Sequence, residues 1–348
     1  MSAASFDSLS SPSSDGQPSI THTVAASGDT ILTLNSPNAK FAPWEDDSSP
    51  PATNGSPITF RVSSQHIIQA SSVFEAALTG LWEEGSKNAE GFYEVSAEDW
   101  DAEALRIVLC LIHSRTSNIP RNVTLEMLCK IAVLVDYYNL HEALRFCASL
   151  WIEDLRDPLP TTFGRDLILW ICVSHIFKDA TIFEAVTKRA IEHSPGDIPS
   201  LNLPIPEYIT GSLNEQRELA MKLLISVLQE AKFKLLDGRV GCSFECRSLN
   251  LGALVKFMHD EGFLEAVTEK SYEGRSVTDV ITKIREMKSP TKSSYWRCPG
   301  FCSFTLTKLI ESGLGTATAQ IRGLGLGGYP VGTWNWAGFS GVSFGIPR

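Results

Sequence analysis

Apolar residues in the first half of the chain change their spacing from strand-like runs to helical stripes. The run GDTILTL, residues 28–34, carries Ile31, Leu32 and Leu34 around the β-branched Thr33 and predicts a strand. ITFRVS, residues 58–63, and FYEVSA, residues 92–97, are two further strand-like pieces. Between them lies SSQHIIQASSVFEAALTGLWEEG, residues 63–85, a helix-forming stretch. Three stripes at i, i+3, i+4, i+7 follow, each predicting a helix that buries one face. The first, after Asp101, uses Leu105, Val108, Leu109 and Ile112. The second, after Thr124, uses Leu125, Leu128, Cys129, Ala132 and Val135. The third, after His141, uses Leu144, Cys147, Ala148 and Trp151. Asp101 and Thr124 suit helix N-caps, because a short side-chain oxygen accepts an otherwise unpaired N–H. Asn139 suits the left-handed residue that ends a helix.

DPLP, residues 157–160, breaks this series. Residues 166–177 are apolar nearly all round, which predicts a buried helix. Residues 181–193 carry Ile182, Phe183, Val186 and Ala190 as one stripe. SPGDIPSLNLPIP, residues 194–206, reads as a Pro-rich linker. A long helix is expected over about 212–236, with Leu219, Leu223, Val227, Leu228, Phe233 and Leu236 as apolar positions, stopped by Asp237-Gly238. That content exceeds one narrow stripe, so the helix needs a partner from the same chain or from a second copy. Two more helical pieces, LNLGALVKFMHDEGFL and SVTDVITKIREM, follow. The Ser/Pro/Asp-rich residues 1–25 and the Gly-rich residues 311–348 show neither period and are expected to be disordered. The loop at residues 36–57 is long, and its prolines and acids argue against further strands. Its Phe41 and Trp44 are expected to dock on the domain, or else to serve as a ligand for another molecule.

Four of these segments resemble the BTB/POZ domain. FRVSSQHIIQASSVFEAAL is similar to its strand and helix pair. DAEALRIVLCLIHSR, NVTLEMLCKIAVLVDYYNL and HEALRFCASLW are similar to its three following helices, with His113 where the family often has Tyr. RDLILWICVSHIFKDATIFEAVTKRAI and CSFEC narrow the likeness to a large fungal BTB-domain group. One departure is that Ser63 stands where many BTB domains place a buried His, and His66 comes a turn later. The resemblance implies an α+β fold, a small mixed sheet wrapped by helices, followed by an all-helical C-terminal region. It implies that residues 28–34 and 58–63 pair as a hairpin. The expected divisions are a BTB/POZ domain at 26–156, a BACK-like helical extension at 157–193 and a helical C-terminal region at 194–310.

Composition constrains function. The chain has 348 residues, 43% hydrophobic and 20% charged, as in a globular protein. A net charge of −10 and a pI near 5.3 argue against an electrostatic nucleic-acid binder. No apolar run is long enough for a bilayer and no signal pattern opens the sequence, so the expectation is an intracellular protein, cytoplasmic or nuclear. Cysteines then read as reduced thiols, with Cys110, Cys129, Cys147 and Cys172 as small core residues. His66, His113, His141 and His175 read as structural. No nucleophile–base–orienter set stands out, so no catalytic residue is assigned and the chain is read as a non-enzyme. Gly323, Gly325 and Gly328 match G-x-G-x-x-G only formally, lacking the strand and helix that give the motif meaning.

Two C-x-x-x-C pairs are the strongest chemical signal. Cys242, Cys246, Cys298 and Cys302 supply four thiolates suited to one tetrahedral structural zinc. The same spacing fits four unligated thiols in a helical module. In the resembled group the second pair more often reads His-x-Cys, so only Cys302 of that pair matches.

The resemblance implies a dimerising interaction module or adaptor whose partners are itself and other proteins. The helix at 166–177 and an exchanged strand at 28–34 are the expected interface elements. Leu81, Trp82 and Glu83 resemble the hydrophobic-x-Glu motif by which some BTB proteins recruit a cullin. The alternative is a zinc-stapled regulator contacting nucleic acid through a basic face near Arg239, Arg247 and Lys256.

Overall fold

The computed structural model describes residues 21–44, 55–80, 82–264, 274–290 and 304–326. Strands β1 (His22–Thr23), β2 (Thr30–Asn35), β3 (Ile58–Val62) and β4 (Tyr93–Glu98) form one mixed sheet in the order β1-β3-β2-β4. β2 and β3 are the expected hairpin, antiparallel with Thr30 opposite Val62 and Leu34 opposite Ile58. β4 lies parallel to β2, with Leu32 opposite Val95. Alternation puts Leu32, Leu34, Phe60, Val62, Val95 and Ala97 on the covered face, all buried. Because β2 is hydrogen-bonded on both edges, residues 28–34 are not a free strand for exchange; the edge strands are β1 and β4.

Helices α1 (Ser64–Ala70) and α2 (Ser72–Thr79) connect β3 to β4. α3 (Ala102–Ile112), α4 (Leu125–Tyr137) and α5 (His141–Leu155) follow β4. The caps form as their chemistry dictates. Asp101 accepts from the Ala104 N–H, Thr124 accepts from the Met127 N–H, and Asn139 takes φ 54° between α4 and α5. Phe41 and Trp44 dock rather than extend. Arg165 donates to the carbonyls of Ala42 (2.8 Å) and Phe41 (3.0 Å), and Trp44 meets Phe163.

α6 (Arg165–Ile176) is the most enclosed element: every residue from Leu167 to Ile176 is buried. It packs against α4 and against α7 (Ala180–His193), whose Ile182, Phe183, Val186 and Ala190 are buried as their spacing required. This overturns α6 as a dimer face, since its own chain covers it on every side. α7 in turn packs against α8 (Glu207–Leu236) and α10 (Val277–Arg285), and α8 carries α9 (Phe244–Asp260) and α11 (Leu306–Gln320). Among the described residues no helix is long and apolar enough to cross a membrane.

Four further expectations need correction. Of residues 1–25, expected to be disordered, His22–Thr23 forms strand β1 on β3, and Val24 and Ala25 are buried. The connection at 194–206 is packed, not a loose linker: Ile198, Leu203 and Ile205 are buried, and the Ile198 N–H donates to Asn214 Oδ1. α8 finds its partners within the chain, but its buried positions include Leu213, Met221, Leu224 and Leu235, while Leu219, Phe233 and Leu236 are exposed. The Gly-rich stretch expected to be disordered from residue 311 is helical to Gln320 and packed to Leu324. Its glycines permit close approach. A Cβ at Gly313 would sit 2.9 Å from Val227 on α8, and one at Gly323 would run into the Glu184 carbonyl of α7. Residues 327–348, and the N-terminal stretch up to residue 20, lie outside the described residues.

Candidate interaction surfaces

The segment after β3 is locked by two side chains from elsewhere. Asp29 accepts from both the N–H and the hydroxyl of Ser64 at 2.9 Å, which fixes the start of α1. His113, at the end of α3, accepts the Ser63 N–H through Nε2 (2.9 Å), and its Nδ1 faces the Leu109 carbonyl (2.8 Å). That geometry assigns the neutral tautomer with the proton on Nδ1. Burial lowers the His113 pKa, opposed by the bond to Leu109. The buried imidazole at this corner therefore comes from α3, and His66 stacks on it with centroids 4.9 Å apart. Ser71 caps α2 by accepting from Phe74 and donates its hydroxyl to the Tyr138 carbonyl at 2.6 Å, tying α2 to the end of α4. These contacts give α1 and α2 a fixed orientation.

α5 has two apolar faces. Leu144, Ala148, Trp151 and Ile152 are buried, and Trp151 Nε1 donates to the Pro120 carbonyl. Ala143, Phe146, Cys147 and Leu150 repeat at i, i+3, i+4, i+7 on the other side, with Phe146 73% and Leu150 52% exposed. Charged Glu142, Arg145, Glu153 and Asp154 are exposed around this second stripe. Of the positions expected on the core-facing stripe, Leu144, Ala148 and Trp151 are buried, while Cys147 is half-buried beside the outward one.

At the start of α5, Asp136 stands 4.0 Å from His141. The Asp136 carboxyl is pushed up to about 6 by burial, against the attraction of Lys178, and its Oδ2 has no hydrogen-bond partner among the described residues. His175, at the end of α6, is driven down to about 4 by burial, helped by Lys178. Cys129 and Cys172 meet across α4 and α6, and burial raises the Cys172 thiol. Cys110 is buried, as a small core residue would be, and Cys147 is half-buried at the margin of the outward stripe.

Of the hydrophobic-x-Glu motif, Leu81 lies outside the described residues. Trp82 is 46% exposed beside Gly80, and Glu83–Gly85 forms a single 3-10 turn. Of the cysteine pairs, Cys242 is exposed and Cys246 buried, on either side of Ser243, the N-cap of α9. Asn250 donates to the Cys246 carbonyl and approaches its Sγ at 3.7 Å. Cys298 and Cys302 lie outside the described residues, among which no group of three or more His, Cys, Asp or Glu could hold a metal. Of the basic residues singled out beyond α8, Arg239 pairs with Asp237 (3.1 Å) and Lys256 with Asp260 (3.0 Å), which neutralises much of that face. Gly323 follows a helix, not a strand, which removes the formal dinucleotide motif.

Comparison with family models, with curated proteins and with solved structures finds no match to this chain.

Proposed function

We propose that this chain is a protein-interaction module of BTB/POZ type, which pairs with a second copy of itself and acts as an adaptor, not a catalyst. The observation that carries the reading is the outward stripe of α5. A helix that already buries one face keeps a second apolar face, ringed by charge, which no other described residue buries. The element order supports the BTB/POZ part: a strand hairpin, a helix pair, a strand parallel to the hairpin, then three helices. Light scattering over a concentration series tests it. A dimer is expected, and a strict monomer at tens of micromolar overturns self-pairing.

The same reading includes a structural zinc held by Cys242, Cys246, Cys298 and Cys302. The first pair favours it, since Cys242 and Cys246 lie within one turn of the Ser243 N-cap of α9 and can offer two sulfur ligands together. Metal analysis of purified protein should find about one zinc per chain, with stability falling in chelator. No zinc and unchanged stability would remove this part and leave the rest.

A further inference from the structure

The Trp44 loop, the segment before α6, the connection after α7 and the start of α10 enclose a cleft of about 700 Å³. This is the size of a ligand pocket, and it involves none of the α5 residues argued above. One wall is aromatic: Trp44 and Phe163, with centroids 5.9 Å apart and planes at 59°. That wall is held in place, because Arg165 fixes the backbone just before Trp44 through the carbonyls of Phe41 and Ala42. The facing wall is the connection after α7, stiffened by Pro195 and Pro199 and by Arg217, which donates to the carbonyls of Ser194 and Pro195 at 3.0 Å.

Charge selects the ligand. Among the described residues the titratable groups of the cleft are Asp197, Asp279 and His193, with no Lys or Arg. Asp197 is exposed and makes no ion pair among the described residues. Asp279 is exposed too, and the donors of Ser276 hold its carboxyl below the usual range. The start of α10 does not invite an anion, because its capping box is closed. The Ser276 N–H goes to Asp279 Oδ2 and the Asp279 N–H to the Ser276 hydroxyl, both at 3.0 Å. His193 faces Thr278 at 3.4 Å.

We infer that this cleft receives the arginine or lysine side chain of an extended basic peptide from a partner protein. The methylene stem lies against Trp44 and Phe163, where aromatic faces attract a cation, and the charged head sits at the rim carrying Asp197 and Asp279. This site does not depend on self-pairing through α5.

The test is fluorescence anisotropy with the full chain and dye-labelled ten-residue Ser/Pro peptides carrying a central Arg-Arg, Lys-Lys, Gln-Gln or Glu-Glu. The two basic peptides should bind, at least about fivefold more tightly than the Gln peptide and more weakly in 0.5 M salt, while the Glu peptide should not bind. Asp197→Asn and Trp44→Leu should each weaken the basic peptides by about threefold or more. Asp154→Asn, which removes an exposed acid on α5, should not. Equal binding of the Gln peptide would make this an uncharged proline-binding groove and overturn the inference. So would failure of the basic peptides to bind up to millimolar concentration. Equal loss in Asp154→Asn would also overturn it, by reducing the effect to attraction by the overall net charge. The Asp197 side chain makes no hydrogen bond or ion pair among the described residues and is exposed, so its variant reads the site even if Trp44→Leu fails to fold.

Discussion

α5 and α6 are adjacent in sequence, and both carry apolar residues on more than one face, yet they meet opposite environments. α6 lies between α4 and α7, and its Leu169 is 0% exposed. α5 packs on α3 and α4 with one face, and its Leu150 is 52% exposed. The difference lies in the polar residues. From Leu167 to Ile176, α6 has only Ser174 and His175, and Ser174 satisfies itself by donating to the Trp170 carbonyl at 2.6 Å. α5 sets four charged side chains around its second stripe, each needing water. A second apolar stripe therefore marks an interior helix only when its flanks can be buried as well. When they cannot, the stripe faces outward.

Leu169→Ala tests the interior position of α6 with the largest expected effect. Removing a fully buried leucine from α6 should cost about 2–5 kcal/mol, read by urea unfolding, because the α4–α6–α7 sandwich can close only partly around the cavity. A loss below about 1 kcal/mol would mean that α6 is not interior.

The ends of α4 and α6, beside the start of α5, give a second, smaller effect. Asp136 near the start of α5 and His175 at the end of α6 both feel Lys178. Asp136 titrates at about 6 when folded, well above its usual 3.8. Between those values the native state keeps a proton that the unfolded chain releases, so this group makes stability fall as pH rises. His175 titrates at about 4 when folded, below its usual 6.5. Over that window the unfolded chain takes a proton that the native state lacks, so this group makes stability rise with pH. The two oppose each other, and either variant should unmask the other. Relative to wild type, Asp136→Asn should gain about 2 kcal/mol between pH 4 and 7. Relative to wild type, His175→Gln should become progressively more favourable below pH 6.5. Unfolding titrations at a series of pH values give both differences. A flat Asp136→Asn difference would show that the carboxylate is solvated and that the start of α5 is open.

Much of the fold was legible because its signals are local. Asp101, Thr124 and Asn139 act within one turn of their own helices, and the alternation in β2 needs only the sheet face to be satisfied. The fate of α8 was not legible. A 30-residue helix that meets α7, α9, α10 and α11 changes its buried side along its length, so no single stripe describes it. Its buried Arg217 is held by carbonyls of Ser194, Pro195 and Arg275, which sequence cannot bring together. The glycines of α11 read as disorder because composition does not say whether a missing Cβ serves freedom or closeness; at Gly313 it serves closeness. The outward stripe of α5 was visible in spacing, whereas the Trp44–Phe163 wall joins residues too far apart in sequence to suggest a site.

The matched substitution on the other helix has the smallest expected effect on stability and decides the most about function. Leu150→Ala exchanges the same residue types as Leu169→Ala, in a helix where alanine is at least as good a former as leucine. About half of Leu150 is already in water, so unfolding should shift by no more than about 0.5 kcal/mol. If the outward face of α5 is the self-contact, association should respond where folding does not. Phe146→Asp, which places a charge in the middle of the stripe, should then raise the dimer dissociation constant about tenfold or more by light scattering, with the unfolding midpoint nearly unchanged. A variant that still dimerises as wild type would move the interface off α5. The two helices would then differ in burial only, and the edge strands β1 and β4 would be the next faces to test.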